Sequence, residues 1–152
     1  MAKDFTHNDY YSASITRQAD LLHLRSNPSS IIFSVYCAGV SIECMLRAYI
    51  TKYTKEFDSK HDLKKLYEKS QMANLLDEKE KEILTAAVKN ANRIWFNELR
   101  YVSELRMKRK ISHELIKKGL KGKDIIKQID IYHSDIFKAS DLIIKIGQSK
   151  WT

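Results

Sequence analysis

The sequence predicts an all-α protein of a single domain, residues 1–152, and three observations carry that expectation. Turn-forming residues are scarce, with four Gly and one Pro in 152 residues, too few for the many turns of a strand-rich fold. Apolar residues recur every three or four positions over long stretches, the period of a helix with one buried face. There is no internal repeat, low-complexity tract or linker, and a chain of this length buries one core of ordinary size. The expected architecture is a compact bundle of four main helices with one or two short ones.

The first helix is expected from about Asn8 to Leu24, with Tyr11, Ile15, Ala19 and Leu22 on its inner stripe. Asn27-Pro28 ends it and opens the second, because proline's fixed φ suits the first turn of a helix. In that second helix Ile31, Val35, Ala38, Ile42, Met45, Tyr49 and Tyr53 step by three or four, so one face is apolar throughout. Ala38 and Gly39, small and central, permit a close crossing with a neighbour. Phe57–Lys60 reads as a loop, followed by a short helix from His61 to about Ser70.

Asp77 is placed to cap a third long helix, with Glu80 completing a capping box. Its stripe is expected to run Leu84, Ala87, Ala91, Trp95, Leu99, Val102, with Arg106 next in register. Ser112–Leu120 reads as a further short helix, broken at Gly119 and Gly122. The last helix, about Asp124 to Gln148, would bury Ile125, Ile129, Tyr132, Ile136, Ala139, Ile143 and Ile146.

Charge is concentrated. Between Arg100 and Lys123 lie nine Lys/Arg and two acids, Glu104 and Glu114, a net +7 out of a total of +8. Such a field suits a phosphate-bearing partner, RNA or a nucleotide, or forms a solvated basic connector. Arg106, Lys108, Arg109 and Lys110 would supply phosphate contacts.

Composition narrows the remaining classes. A hydrophobic content of 43% with 30% charged residues is ordinary for a soluble globular protein. No stretch approaches 18 apolar residues, and Met1–His7 lacks a signal peptide's layout. Cys37 and Cys44, i and i+7 on one expected helix, stand about 10 Å apart along its axis, too far for a disulfide. They form no Cys-x-x-Cys and match no His spacing, so neither a zinc site nor a cofactor is expected, and the setting is a reducing cytoplasm. P-loop, Gly-rich dinucleotide, His-Glu-x-x-His and paired-carboxylate motifs are absent from the sequence. His7, His23, His61 and His133 show no ligand spacing and read as surface or capping residues. Tyr10-Tyr11 and Tyr132-His133 either stack on bases or belong to the core.

Two constellations remain. Glu43 sits one position off the second helix's apolar stripe. If buried it needs a partner, for which Arg100 and Arg106 are candidates; if turned outward it pairs with Arg47 at i,i+4. Arg106 and His113 are seven apart, so on one continuous helix they share a face about 10.5 Å apart along the axis. That exceeds the reach to one phosphorus, but a two-fold dimer would bring pairs from two chains into one cleft. There His113 would move a proton and Arg106 would stabilise phosphate charge, while RNA supplies its own 2′-hydroxyl nucleophile.

Ala38-Gly39-Val40-Ser41-Ile42-Glu43-Cys44-Met45-Leu46-Arg47-Ala48 is similar to the second helix of HEPN domains, and His61-Asp62-Leu63-Lys64-Lys65-Leu66 resembles the short helix that follows there. Trp95–Tyr101 resembles that family's third helix, and Ser134–Gly147 its closing one. The resemblance implies a dimeric bundle in RNA- or nucleotide-handling systems, with many members metal-independent ribonucleases of toxin–antitoxin or defence modules. Their signature is an Arg and a His separated by four to six residues. Arg106, six residues and His113 match its outer limit, whereas Met107 stands where the family has a polar residue. Arg100-Tyr101 instead resembles members without nuclease activity, which bind nucleotides or partners beside a small nucleotidyltransferase. The candidate site is therefore Arg106 and His113 for catalysis, Arg100, Tyr101, Lys108, Arg109 and Lys110 for binding, and Glu43 and Asn97 as orienting residues. The partners expected are RNA or a nucleotide, a second copy of the chain, and a nucleotidyltransferase or antitoxin, with no membrane.

Overall fold

A computed structural model describes residues 5–27, 31–54, 61–95, 99 and 101–152. Among the described residues there is no strand. The helices are α1 (His7–Leu24), α2 (Ile31–Tyr53), α3 (Leu63–Ser70), α4 (Glu78–Asn92), α5 (Glu104–Lys117) and α6 (Lys123–Lys150), with a 3-10 turn at Met72–Leu75. They form an all-α bundle around α2, which packs against α1, α3 and α6, while α4 lies on α6.

Helix starts are dictated locally. Thr6 and Asp77 each accept a backbone N–H three residues on, and Asp9 and Glu80 return the bond, so α1 and α4 begin with complete capping boxes. Asp62 caps α3 through the Lys65 N–H, and Ser103 caps α5 through the Arg106 N–H at 3.2 Å. At the other end of α5, Gly119 takes φ +92° and the Leu120 N–H reaches back to the Leu115 carbonyl at 3.1 Å. That left-handed closure favours glycine and turns the chain toward α6.

Helix α2 is the core. Val35, Ala38, Ile42, Met45, Leu46, Ala48 and Tyr49 are fully buried. It is also long and apolar enough to cross a membrane by length and composition, though 61% of its most apolar window is buried inside the bundle. Gly39 has a packing reason, because a Cβ there would lie 1.9 Å from the Trp95 indole. Only a bare backbone lets that ring lie flat on the helix. Cys37 and Cys44 are free, and burial pushes both thiols up to about 11.

The inner stripe of α1 differs from the expectation. Tyr11 and Ile15 face inward, but Ala19 and Leu22 are exposed, and the remaining inner positions are Ser14, Gln18 and Leu21. Hydropathy passes over Ser14 and Gln18, yet both find partners inside. Ser14 and Ser41 exchange hydroxyl-to-carbonyl hydrogen bonds at 2.7 and 3.2 Å, binding α1 to α2. The Gln18 amide donates to Asp141 on α6 at 2.6 Å, and Arg25 holds the other oxygen of that carboxylate at 2.9 Å. Satisfied in this way, polar residues occupy a core stripe at small cost.

The second difference lies between α4 and α5. A single helix carrying a stripe from Leu84 to Val102 was expected, but α4 ends at Asn92 and Arg93 caps it. Ile94, Trp95 and Leu99 are buried nonetheless. Ile94 and Trp95, past the end of α4, fill the core all the same. Ser103 then starts α5, which runs to Lys117 and takes in most of what reads in sequence as the separate short helix Ser112–Leu120. Helix α6 follows its expected stripe, with Ile129, Tyr132, Ile136, Ala139, Ile143 and Ile146 buried and Ile125 half-buried. The Phe57–Lys60 loop lies outside the described residues.

Candidate nucleic-acid interface

Helix α5 divides its residues by face. Met107, Ile111 and Leu115, at intervals of four, are buried, which directs the opposite face to solvent. Arg106, Arg109, His113 and Lys117 fall on that outer face and are exposed, as is Lys110 at its margin. The Arg106–His113 spacing thus lies on one unbroken helix, about 10.5 Å along the axis. Leu105, 58% exposed, and Ile116, 57% exposed, border the same stripe. Met107, where the HEPN signature has a polar residue, is a core residue of α5.

The other site candidates are distributed differently. Lys108 turns to the α6 side and pairs with Glu104 at 3.2 Å, which removes it from the outer stripe. Tyr101 is 78% exposed, just before the Ser103 cap. Arg100 and Asn97 lie outside the described residues.

Glu43 occupies a second polar site. It is buried on α2, and its carboxylate accepts from Arg47 at 3.4 Å and faces His61 Nδ1 at 2.6 Å through the same oxygen. The two sequence alternatives were burial against Arg100 or Arg106, and exposure beside Arg47. The structure combines burial with Arg47 and adds His61 from the segment entering α3. Asp62 and Asn92 extend the cluster, since Asn92 accepts the Leu63 N–H at 3.0 Å and donates to Asp62 at 3.4 Å. Its sequence spacing alone marks His61 as a surface or capping residue. The signal that could have found its role is Glu43 itself, a carboxylate on an apolar helix face in need of a donor.

His133 departs further from the surface role expected of it. It is 8% exposed on α6, and burial lowers its pKa, with Asp130 and Glu104 opposing that shift. Its Nε2 is buried and has no hydrogen-bond partner. No group of three or more His, Cys, Asp or Glu among the described residues could hold a metal. Comparison with protein-family models, with characterised proteins and with solved structures found no match to this chain.

Proposed function

We propose that this chain is a HEPN-like bundle that binds single-stranded RNA along the outer face of α5. The observation that supports the reading most is the alignment of Arg106, Arg109, His113 and Lys117 on one exposed face. Arg106, Arg109 and Lys117 repeat positive charge along a rigid rod, which suits the repeating charge of a phosphate backbone. The exposed Tyr101 ring at the head of that face would give a base a stacking surface.

Cleavage is the second step of the same reading, and it requires two copies of the chain. On one α5, Arg106 and His113 are separated by nearly two turns. A symmetric dimer pairing two α5 faces, with Leu105 and Ile116 as its apolar border, would set the Arg106 of one protomer against the His113 of the other. The 2′-hydroxyl would then attack the adjacent phosphorus as its proton passes to His113, the P–O5′ bond would break to leave a 2′,3′-cyclic phosphate, and the departing 5′-oxygen would take up a proton to become a hydroxyl. Arg106 would neutralise the charge gathering on the phosphate oxygens.

Binding is tested by fluorescence anisotropy of labelled single-stranded RNA across a salt series. About three neutralised phosphates give a log–log slope near −2, hence a loss of roughly twentyfold between about 50 and 200 mM salt. Binding that is absent at low salt, or indifferent to salt, would defeat the reading. For cleavage, His113→Ala should lower the rate by ~10²–10⁴, leave RNA affinity nearly unchanged, and EDTA should have no effect. If wild type does not cleave and Tyr101→Ala abolishes nucleotide or protein-partner binding, the non-catalytic alternative beside a nucleotidyltransferase takes its place.

A further inference from the structure

The outer stripe of α5 combines three fixed cations with one titratable group. Arg106, Arg109 and Lys117 keep their charge at any physiological pH. His113 is of the one side-chain type whose charge ordinarily changes between pH 5 and 8. Its place is central. At 100° per residue, Arg106, Arg109 and Lys117 lie within about 40° of it around the helix, one or two turns away along the axis. Lys110 stands about 60° to one side with Glu114 beyond it, and Leu105 and Ile116 border the other. Helices α2 and α6 meet α5 on its buried side, so among the described residues the charged groups that face His113 are those of α5 itself. None of Arg106, Arg109, His113 and Lys117 makes an ion pair among the described residues, whereas Lys108 on the α6 side is taken by Glu104 at 3.2 Å.

A backbone that reaches from Arg109 to Lys117 has to cross the imidazole between them. While the ring is neutral, the phosphate at that point meets no cation; once protonated, the ring supplies one. We propose that RNA binding along α5 is coupled to protonation of His113, so that acid strengthens the hold by one further phosphate contact. The inference rests on the RNA-binding reading and adds a means of regulation to it. Linkage makes the coupling reciprocal, since bound RNA must favour the proton by the factor by which the proton favours RNA. The same proton has a chemical consequence. Cleavage needs the neutral ring to accept the proton of the 2′-hydroxyl, so acid turns the stripe from a cutting surface into a holding one. In the dimer that cleavage requires, Arg106 of the second copy faces the ring across the same phosphate.

The test is anisotropy of labelled oligouridine at pH 7.5, 6.5 and 5.5, because uracil carries no group that titrates in this range. Wild type should bind several-fold more tightly at pH 5.5 than at pH 7.5. Its log–log salt slope should steepen by about 0.7, the share of one phosphate on a single strand. His113→Ala should lack both changes, although His7, His23, His61 and His133 remain in it to titrate. His113→Lys should hold the affinity and slope of acidic wild type across the whole range. The position is exposed, and urea midpoints matching wild type at pH 7.5 will show that both variants are folded. Salt-sensitive binding with the same pH dependence in wild type and His113→Ala would overturn the proposal and leave the RNA-binding reading standing. Binding that is absent, or indifferent to salt, at every pH would overturn both.

Discussion

Glu43 and Arg106 are both charged helix residues next to apolar neighbours, and the molecule treats them in opposite ways. Glu43 points into the packing of α2 against the segment entering α3, where Arg47 and His61 enclose its carboxylate. Arg106 points away from the core, because Met107 beside it takes the buried position. Around Glu43 charge is neutralised pairwise and contributes to the fold. Along α5 positive charge accumulates on a solvated face. Burial therefore separates structural charge from charge available to a partner, and net composition does not.

Removing one member from each region gives the sharpest contrast. Glu43→Ala removes a buried carboxylate that Arg47 and His61 share, and should cost about 1–3 kcal/mol of unfolding free energy. Arg106→Ala paired with Arg109→Ala should change stability by under about 0.5 kcal/mol while weakening RNA binding several-fold. Urea denaturation measures the first quantity, and anisotropy with denaturation measures the second. Comparable stability losses at both places would erase the distinction.

His133 offers a smaller, pH-dependent effect. Burial depresses its folded-state pKa below the ordinary value of 6.5, so as pH falls the unfolded chain accepts a proton that the folded chain refuses. The stability it contributes is complete above about 6.5 and declines as pH falls toward the folded-state value, by at most about 1.4 kcal/mol per pH unit. Followed from pH 7.5 to 5.5, the urea midpoint of wild type should fall relative to that of His133→Phe as acidity rises. A constant difference would mean that His133 is not held neutral in the folded protein.

Smallest of all should be the response to thiol reagents. Both thiols are pushed up to about 11, so little thiolate exists at neutral pH. Ellman's reagent should react with the buried Cys37 only at the rate of unfolding and with the half-buried Cys44 slowly, and addition of urea should speed both. Rapid modification of the native protein would show that the α1–α2 contact opens more readily than its buried Ser14–Ser41 bonds suggest.

Sequence alone determined what depends on near neighbours. The all-α class, the Asp77 and Glu80 capping box, the extents of α2 and α6, and the basic segment between Arg100 and Lys123 all follow from periodicity, capping chemistry and composition, which act within a few residues. Tertiary structure decided what depends on distant partners. Ser14 and Gln18 hold core positions because Ser41 and Asp141 meet them across helices. Trp95 is buried without being helical because Gly39 makes room for its ring. Glu43 finds His61, eighteen residues on, and His133 enters the core, which no spacing of histidines announces. A polar group's free energy of burial is set by whether another element brings it a hydrogen bond, and that depends on how the helices pack together.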